Sequence, residues 1–146
     1  MAITFNNPPK KNFPSKQALR LTVSKTALNF GQTIGDLNYV FVSDEELLVM
    51  NQNHLNHNYF TDIITFDLGI EGQPIEGDIY ISVDRVAENG EKIGTGIEEE
   101  FVRVIGHGLL HLLGLSDKLP EEIIEMRKAE EQFIELYKSH AAPINS

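Results

Sequence analysis

The 146-residue chain contains no cysteine. That excludes a disulfide framework and any thiolate metal site, and it fits a reducing compartment. No apolar stretch approaches the roughly 18 residues of a membrane span, so no membrane partner is expected. The opening MAITFNNPPKKNF has no apolar h-region and no cleavage-site pattern. No secretory signal is therefore expected, and the cytoplasm is the default location. Acidic residues are missing from Met1 to Gly35, where Lys10, Lys11, Lys16, Arg20 and Lys25 give +5. The whole chain carries −10, which leaves −15 for the remainder. The basic segment is either the solvated face of an N-terminal helix or a local patch that meets phosphate. The acidic total argues against a protein that coats nucleic acid non-specifically. It is compatible with an enzyme that grips a few phosphates.

With 41% apolar and 23% charged residues, the composition is that of a globular protein. The length predicts a single domain over 1–146. No repeat or low-complexity segment interrupts it. A first strand is expected near Ile3–Phe5, then a Pro-rich loop over 8–14. Ser15 is placed to cap a helix running to about Phe30, with Gly31 as its stop. LNYVFVS (37–43) has strand composition, and Ser43 with Glu46 forms a capping-box signature for a helix through about Asn53. DIITFDL (62–68) and DIYISV (78–83) are further strands, joined by the turn-rich GIEGQPIEG. A helix over VDRVAENGEKIG is expected to break at Gly90. A long helix follows from Ile97 to Leu113, closed by Gly114. The last helix starts at Pro120 and runs to about Tyr137. The total of about four strands and about five helices predicts an α+β layer structure.

The long helix carries HGLLHLLGLSDK (107–118). His107 and His111 are four apart, so they stack on one helical face. Apolar neighbours cover nearly every other side, which predicts a helix buried all round. A buried imidazole without a partner costs on the order of 1–3 kcal/mol; one metal ion would satisfy both. After the turn at Gly114, Asp117 falls where a third ligand belongs. His-x-x-x-His-x-x-Gly-x-x-Asp has the spacing of the extended zinc-protease string, with Asp in place of its third His. Three protein ligands leave one position open, as in catalytic zinc sites. Two alternatives stand beside this one: satisfied core histidines, and an Asp117 that caps the helix after Pro120. The peptidase string has Glu after its first His as general base; here that residue is Gly108.

HGLLHLLGLSDK resembles the signature of the YbeY family of metal-dependent endoribonucleases, commonly His-Gly-x-Leu-His-Leu-x-Gly-Tyr-Asp-His. LNHNYFTDIITFDL (55–68) and GDIYIS (77–82) are similar to two further family segments, in the family order. The resemblance spans roughly Leu37 to Tyr137. It implies a small mixed sheet flanked by helices, with the metal site in a cleft on the long helix. It also implies single-strand-specific RNA hydrolysis with one bound Zn2+, or another divalent transition metal, per chain. The implied setting is ribosomal RNA maturation, especially at the 3′ end of the small-subunit RNA, and ribosome quality control. Implied partners are ribosomal RNA and ribosomal particles, with ribosome-associated proteins beside them and no DNA specificity. The metal ligands carry over onto His107, His111 and Asp117. The nucleophile would be a metal-bound water, with no side-chain base assigned. The added charge of Asp117 lowers the ion's Lewis acidity, so that water is predicted to be less acidic than in a three-histidine site.

The family's Tyr-Arg segment has Phe60 at the arginine position, so another cation must meet phosphate. Lys118, Arg85, Arg103 and the N-terminal basic patch are the candidates. Thr61 and Asp62 either set a turn or face the cleft; Asp78 is expected to make a turn bond. His54 and His57 are expected to be surface loop histidines, and His140 to lie in a polar tail without a role. The acids of the last helix, Glu121, Glu122, Glu125, Glu130, Glu131 and Glu135, are expected on a solvated face. Two rival functions are a metallopeptidase or other zinc hydrolase, which Gly108 opposes, and a non-catalytic ribosome-associated metal-binding protein, which Phe60 favours.

Overall fold

A computed structural model of the protein describes residues 2–55, 61–94 and 96–142, with the backbone alone for residues 54 and 55. The elements follow as β1 (Ala2–Asn6), α1 (Lys16–Asn29), β2 (Ile34–Val42), α2 (Asp44–Leu55), β3 (Ile63–Asp67), β4 (Ile75–Ser82), α3 (Val83–Ile93), α4 (Ile97–Leu112) and α5 (Pro120–Ala141). One four-stranded sheet has the order β1-β2-β4-β3. Strands β1, β2 and β4 run parallel and β3 is antiparallel to β4. This is the expected α+β fold with a mixed sheet.

Local chemistry sets most boundaries. The Ser15 hydroxyl accepts from the Ala18 N–H at 3.2 Å and starts α1. Ser43 and Glu46 close a reciprocal box at the start of α2, with bonds of 3.0 and 3.1 Å. Such a box satisfies two otherwise orphaned helical donors. Strand alternation puts Leu37, Tyr39, Phe41, Ile79 and Ile81 on the buried face. Helix α4 lies against that face, and α5 packs on α4 and α1.

Three expectations need correction. Strands β2 and β4 each begin three residues earlier than expected, at Ile34 and Ile75. The early residues still pair, Ile34 with Ile75, across an irregularity before Leu37. Helix α3 does not break at Gly90. A Cβ there would sit 2.9 Å from the Gly96 carbonyl oxygen and 3.0 Å from Ile97 Cα. Gly90 therefore marks the close approach of α3 to the start of α4, where no side chain fits. Finally, α5 continues past Tyr137, and His140 Nδ1 lies 2.8 Å from the Thr22 hydroxyl. His140 thus ties α5 to α1 instead of ending in a polar tail.

Candidate metal centre

Helix α4 is not buried all round. Phe101, Val102, Val104, Ile105, Leu109 and Leu110 are buried, but Arg103, His107 and His111 form a partly exposed stripe. Positions four apart on a helix share one face, so the same periodicity that fills the core aims these three polar groups outward. Gly108 faces the other way: a Cβ there would sit 2.9 Å from Ile63 Cδ1 and 3.1 Å from two Ile79 atoms. A side chain at 108 would enter the sheet, not the cleft. The base position of the peptidase string therefore carries no base here.

Gly114, with φ of 107°, turns the chain back after α4 and returns Asp117 to the stripe. The two Nε2 atoms approach to 2.9 Å. Asp117 Oδ2 lies 3.4 Å from His107 Nε2 and 3.5 Å from His111 Nε2. Three donors on a tetrahedral zinc ion at about 2.0–2.1 Å would be spaced by about 3.3 Å. Asp117 does not cap α5; Glu122 does that work, accepting from the N–H groups of Leu119 at 2.9 Å and Lys118 at 3.2 Å.

The other ring nitrogens test the fit to a cation. His107 Nδ1–H donates to Glu130 Oε2 at 2.6 Å. His111 Nδ1–H donates to the Leu115 carbonyl oxygen at 3.0 Å. With both Nδ1 atoms spent as donors, the rings in their neutral form turn their Nε2 lone pairs toward each other and toward a carboxylate. In that form three acceptors meet without a donor between them, which fits a metal ion, and this group of three is the one among the described residues arranged to hold one. The pKa of His107 responds to the same surroundings. Burial opposes its charged form, but the bond to Glu130 and the charges of Glu130, Asp117 and Asp62 outweigh it and raise the value.

Glu130 corrects the expectation of a wholly solvated acidic face. Its side chain is 6% exposed. It sits on the inner stripe of α5 with Met126, Phe133, Ile134 and Tyr137, all buried. A glutamate at a core position of an amphipathic helix was the signal in the sequence. Its second oxygen faces Arg103 Nη1 at 3.4 Å. Arg103 also pairs with Glu131 at 3.2 Å and Glu100 at 3.4 Å.

The site opens into a cleft of about 590 Å³ that Asp62, Arg103, His107, Asp117 and Glu130 help to line. Asp62 therefore faces the cleft, and burial raises its pKa despite the pull of His107. Burial likewise raises that of Glu100. Of the candidate phosphate-binding residues, Arg103 reaches the cleft but is held by three glutamates. Arg85 is drawn to Asp44 at 2.7 Å and Glu88 at 3.4 Å, at the junction of α2 and α3. Lys118 is exposed beside Asp117 but does not line the cleft. The N-terminal lysines are exposed elsewhere, and Arg20 bonds the Ile3 carbonyl oxygen at 3.0 Å. Thr61 Oγ1 reaches the Ile63 carbonyl oxygen at 3.5 Å. Among the described residues Asp78 makes no turn bond; it accepts from Asn38 Nδ2 at 3.0 Å, strand to strand. Phe60, His57 and the His54 side chain lie outside the described residues.

Fold and site together define a zincin-like α+β domain, with two histidines on one helix and a carboxylate returned to them by a glycine turn. Comparison with known proteins narrows this. The family model for endoribonuclease YbeY matches residues 6–138. An endoribonuclease YbeY of Bacteroides thetaiotaomicron is 39% identical over 132 residues, covering 89% of this chain and 95% of the relative. Another, of Bacteroides fragilis, is 40% identical over 140 residues, covering 94% and 99%. The solution structure of a Thermotoga maritima protein superposes with a TM-score of 0.65 at 25% identity, covering 94% of this chain and 90% of that one. The chain belongs to the endoribonuclease YbeY family.

Proposed function

We propose that the protein is a metal-dependent endoribonuclease acting on single-stranded RNA, with the whole chain, 1–146, as one domain. Its setting is ribosomal RNA processing in the cytoplasm, at the 3′ end of the small-subunit RNA and in ribosome quality control. Ribosomal particles are its partners. Among the described residues no helix is long and apolar enough to cross a membrane. The observation that carries the proposal is the convergence of His107 Nε2, His111 Nε2 and Asp117 Oδ2 beside a cleft that His107 and Asp117 help to line, in a chain whose family relatives bear the name endoribonuclease.

His107, His111 and Asp117 are the proposed ligands, and zinc is the proposed ion because two imidazoles and a carboxylate suit it. Such an ion supplies Lewis acidity at a phosphoryl oxygen and lowers the pKa of water. The chain's own residues do the rest. Glu130 and the Leu115 carbonyl oxygen hold both rings in the tautomer that presents Nε2. That removes the cost of orienting the ligands at the moment of reaction. Gly108 offers no base, which disfavours peptide hydrolysis.

Zinc-loaded protein is expected to cleave single-stranded RNA internally and to leave casein intact. His111→Ala is expected to lose the RNA cleavage. Casein hydrolysis without RNA cleavage would turn the assignment toward a peptidase. Full RNA cleavage by the His111→Ala protein would refute the metal site.

A further inference from the structure

An RNA strand in this cleft would lie among carboxylates. Asp62, Glu100, Glu130 and Asp117 all line it. A polyanion is held there only if cations compensate, and two arginines help to line the same cleft, Arg103 and Arg127. Arg103 is committed. Its side chain is 15% exposed and within 3.4 Å of Glu100, Glu130 and Glu131. Moving it to a phosphate would strip Glu130, the partner of His107, of its counter-charge.

Arg127 is in the opposite state. It stands one helical turn before Glu130 on α5, on the edge that also brings Ile123 and Met126 to the cleft. Residues three apart on a helix are neighbours on one face, so α5 brings to the cleft both Glu130, which bonds His107, and Arg127. Arg127 is exposed, and among the described residues it makes no hydrogen bond or ion pair. A fork of five donors with no protein acceptor is suited to two oxygens of one phosphate.

We propose that Arg127 is a substrate-binding residue that grips a backbone phosphate of single-stranded RNA as the strand enters the metal cleft. This rests on the endoribonuclease assignment above. It assigns Arg127 to binding and leaves the chemistry with the metal ligands.

The test uses zinc-loaded protein and a short phosphorothioate RNA of mixed sequence, which resists cleavage. Its binding is followed by fluorescence anisotropy across a salt series. Arg127→Ala is expected to weaken binding about three- to tenfold and to flatten the slope of log K against log salt by about 0.7, the value for one contact to a single strand. Arg127→Lys is expected to recover part of the affinity. On unmodified RNA, KM is expected to rise for Arg127→Ala while kcat stays within about twofold. Metal content and thermal midpoint are expected to match those of the native protein, and Lys25→Ala, an exposed change on α1, to bind normally. Native-like affinity, salt slope and KM in Arg127→Ala would overturn the proposal while leaving the enzyme assignment standing. A fall in kcat with loss of metal would overturn it in favour of a structural role. If the native protein binds no RNA at all, both fall.

Discussion

Glu130→Gln is the sharpest perturbation of the site, because it removes one charge and almost no volume. The Glu130 side chain is buried and 2.6 Å from His107 Nδ1. Its other oxygen is 3.4 Å from Arg103. The amide would still offer one acceptor, but the charge-assisted bond becomes an ordinary one, roughly half as strong. Outer-shell partners of metal-ligating histidines are typically worth about 10–100-fold in affinity, which is about 1.4–2.7 kcal/mol. The expectation is therefore a zinc Kd raised within that range, read by competition against a chromophoric chelator. Nitrogen-15 NMR of the metal-free protein is expected to show His107 losing its dominant Nδ1–H form. Glu130→Ala is expected to cost more, since it leaves the His107 N–H without its acceptor and takes away one of the three carboxylates around Arg103. An unchanged zinc Kd in Glu130→Gln would refute the claim that Glu130 orients the ligand.

Protons and metal compete for His107. Burial opposes its charged form, but Glu130, Asp117 and Asp62 outweigh burial and raise its pKa, so a metal ion at Nε2 would compete with a proton. With a pKa above the ordinary 6.5, His107 alone is expected to make zinc binding more than about fourfold weaker at pH 6 than at pH 8; a flat profile measured by chelator competition would contradict this. In the metal-free protein the sign reverses. The stabilisation from this raised pKa is complete below the unfolded value and is lost as pH rises through the folded one, so chemical denaturation of metal-free protein is expected to show that contribution declining over the same window. Gly90→Ala is expected to lower stability by about 1–3 kcal/mol by overpacking, although alanine ordinarily gains about 1 kcal/mol over glycine inside a helix. The added Cβ meets backbone of Gly96 and Ile97 at 2.9–3.0 Å, which cannot rotate away; a raised thermal midpoint by circular dichroism would refute it.

Local and periodic features of the site were legible in the chain. His107 and His111 announce themselves by a four-residue spacing inside an apolar helix, and Asp117 by its offset from Gly114. Capping chemistry at Ser15 and at Ser43–Glu46 placed two helix starts. What stayed hidden depends on contacts between distant segments. Glu130 is 23 residues from His107, and composition groups it with five other acids of α5. Only its place between Met126 and Phe133 on the buried stripe sets it apart. Gly90 looks like a helix breaker because a sequence records low propensity, not the backbone of α4 lying where a side chain would go. The early starts of β2 and β4 were hidden by Gly35, Asp36 and Gly77, poor strand formers that pairing between strands overrides. The cations presented the same difficulty. Arg85, Arg103 and Arg127 are alike as letters, and only the fold shows that carboxylates hold the first two.

The central claim is that His107, His111 and Asp117 form one metal centre, and elemental analysis of tag-free protein tests it most directly. The native chain is predicted to carry about one transition-metal ion, the single open-sided site of three protein ligands, and Asp117→Ala to lose most of it while keeping its fold by circular dichroism. A native chain that carries no metal and takes up no zinc, or an Asp117→Ala protein that retains a full complement, would contradict the account.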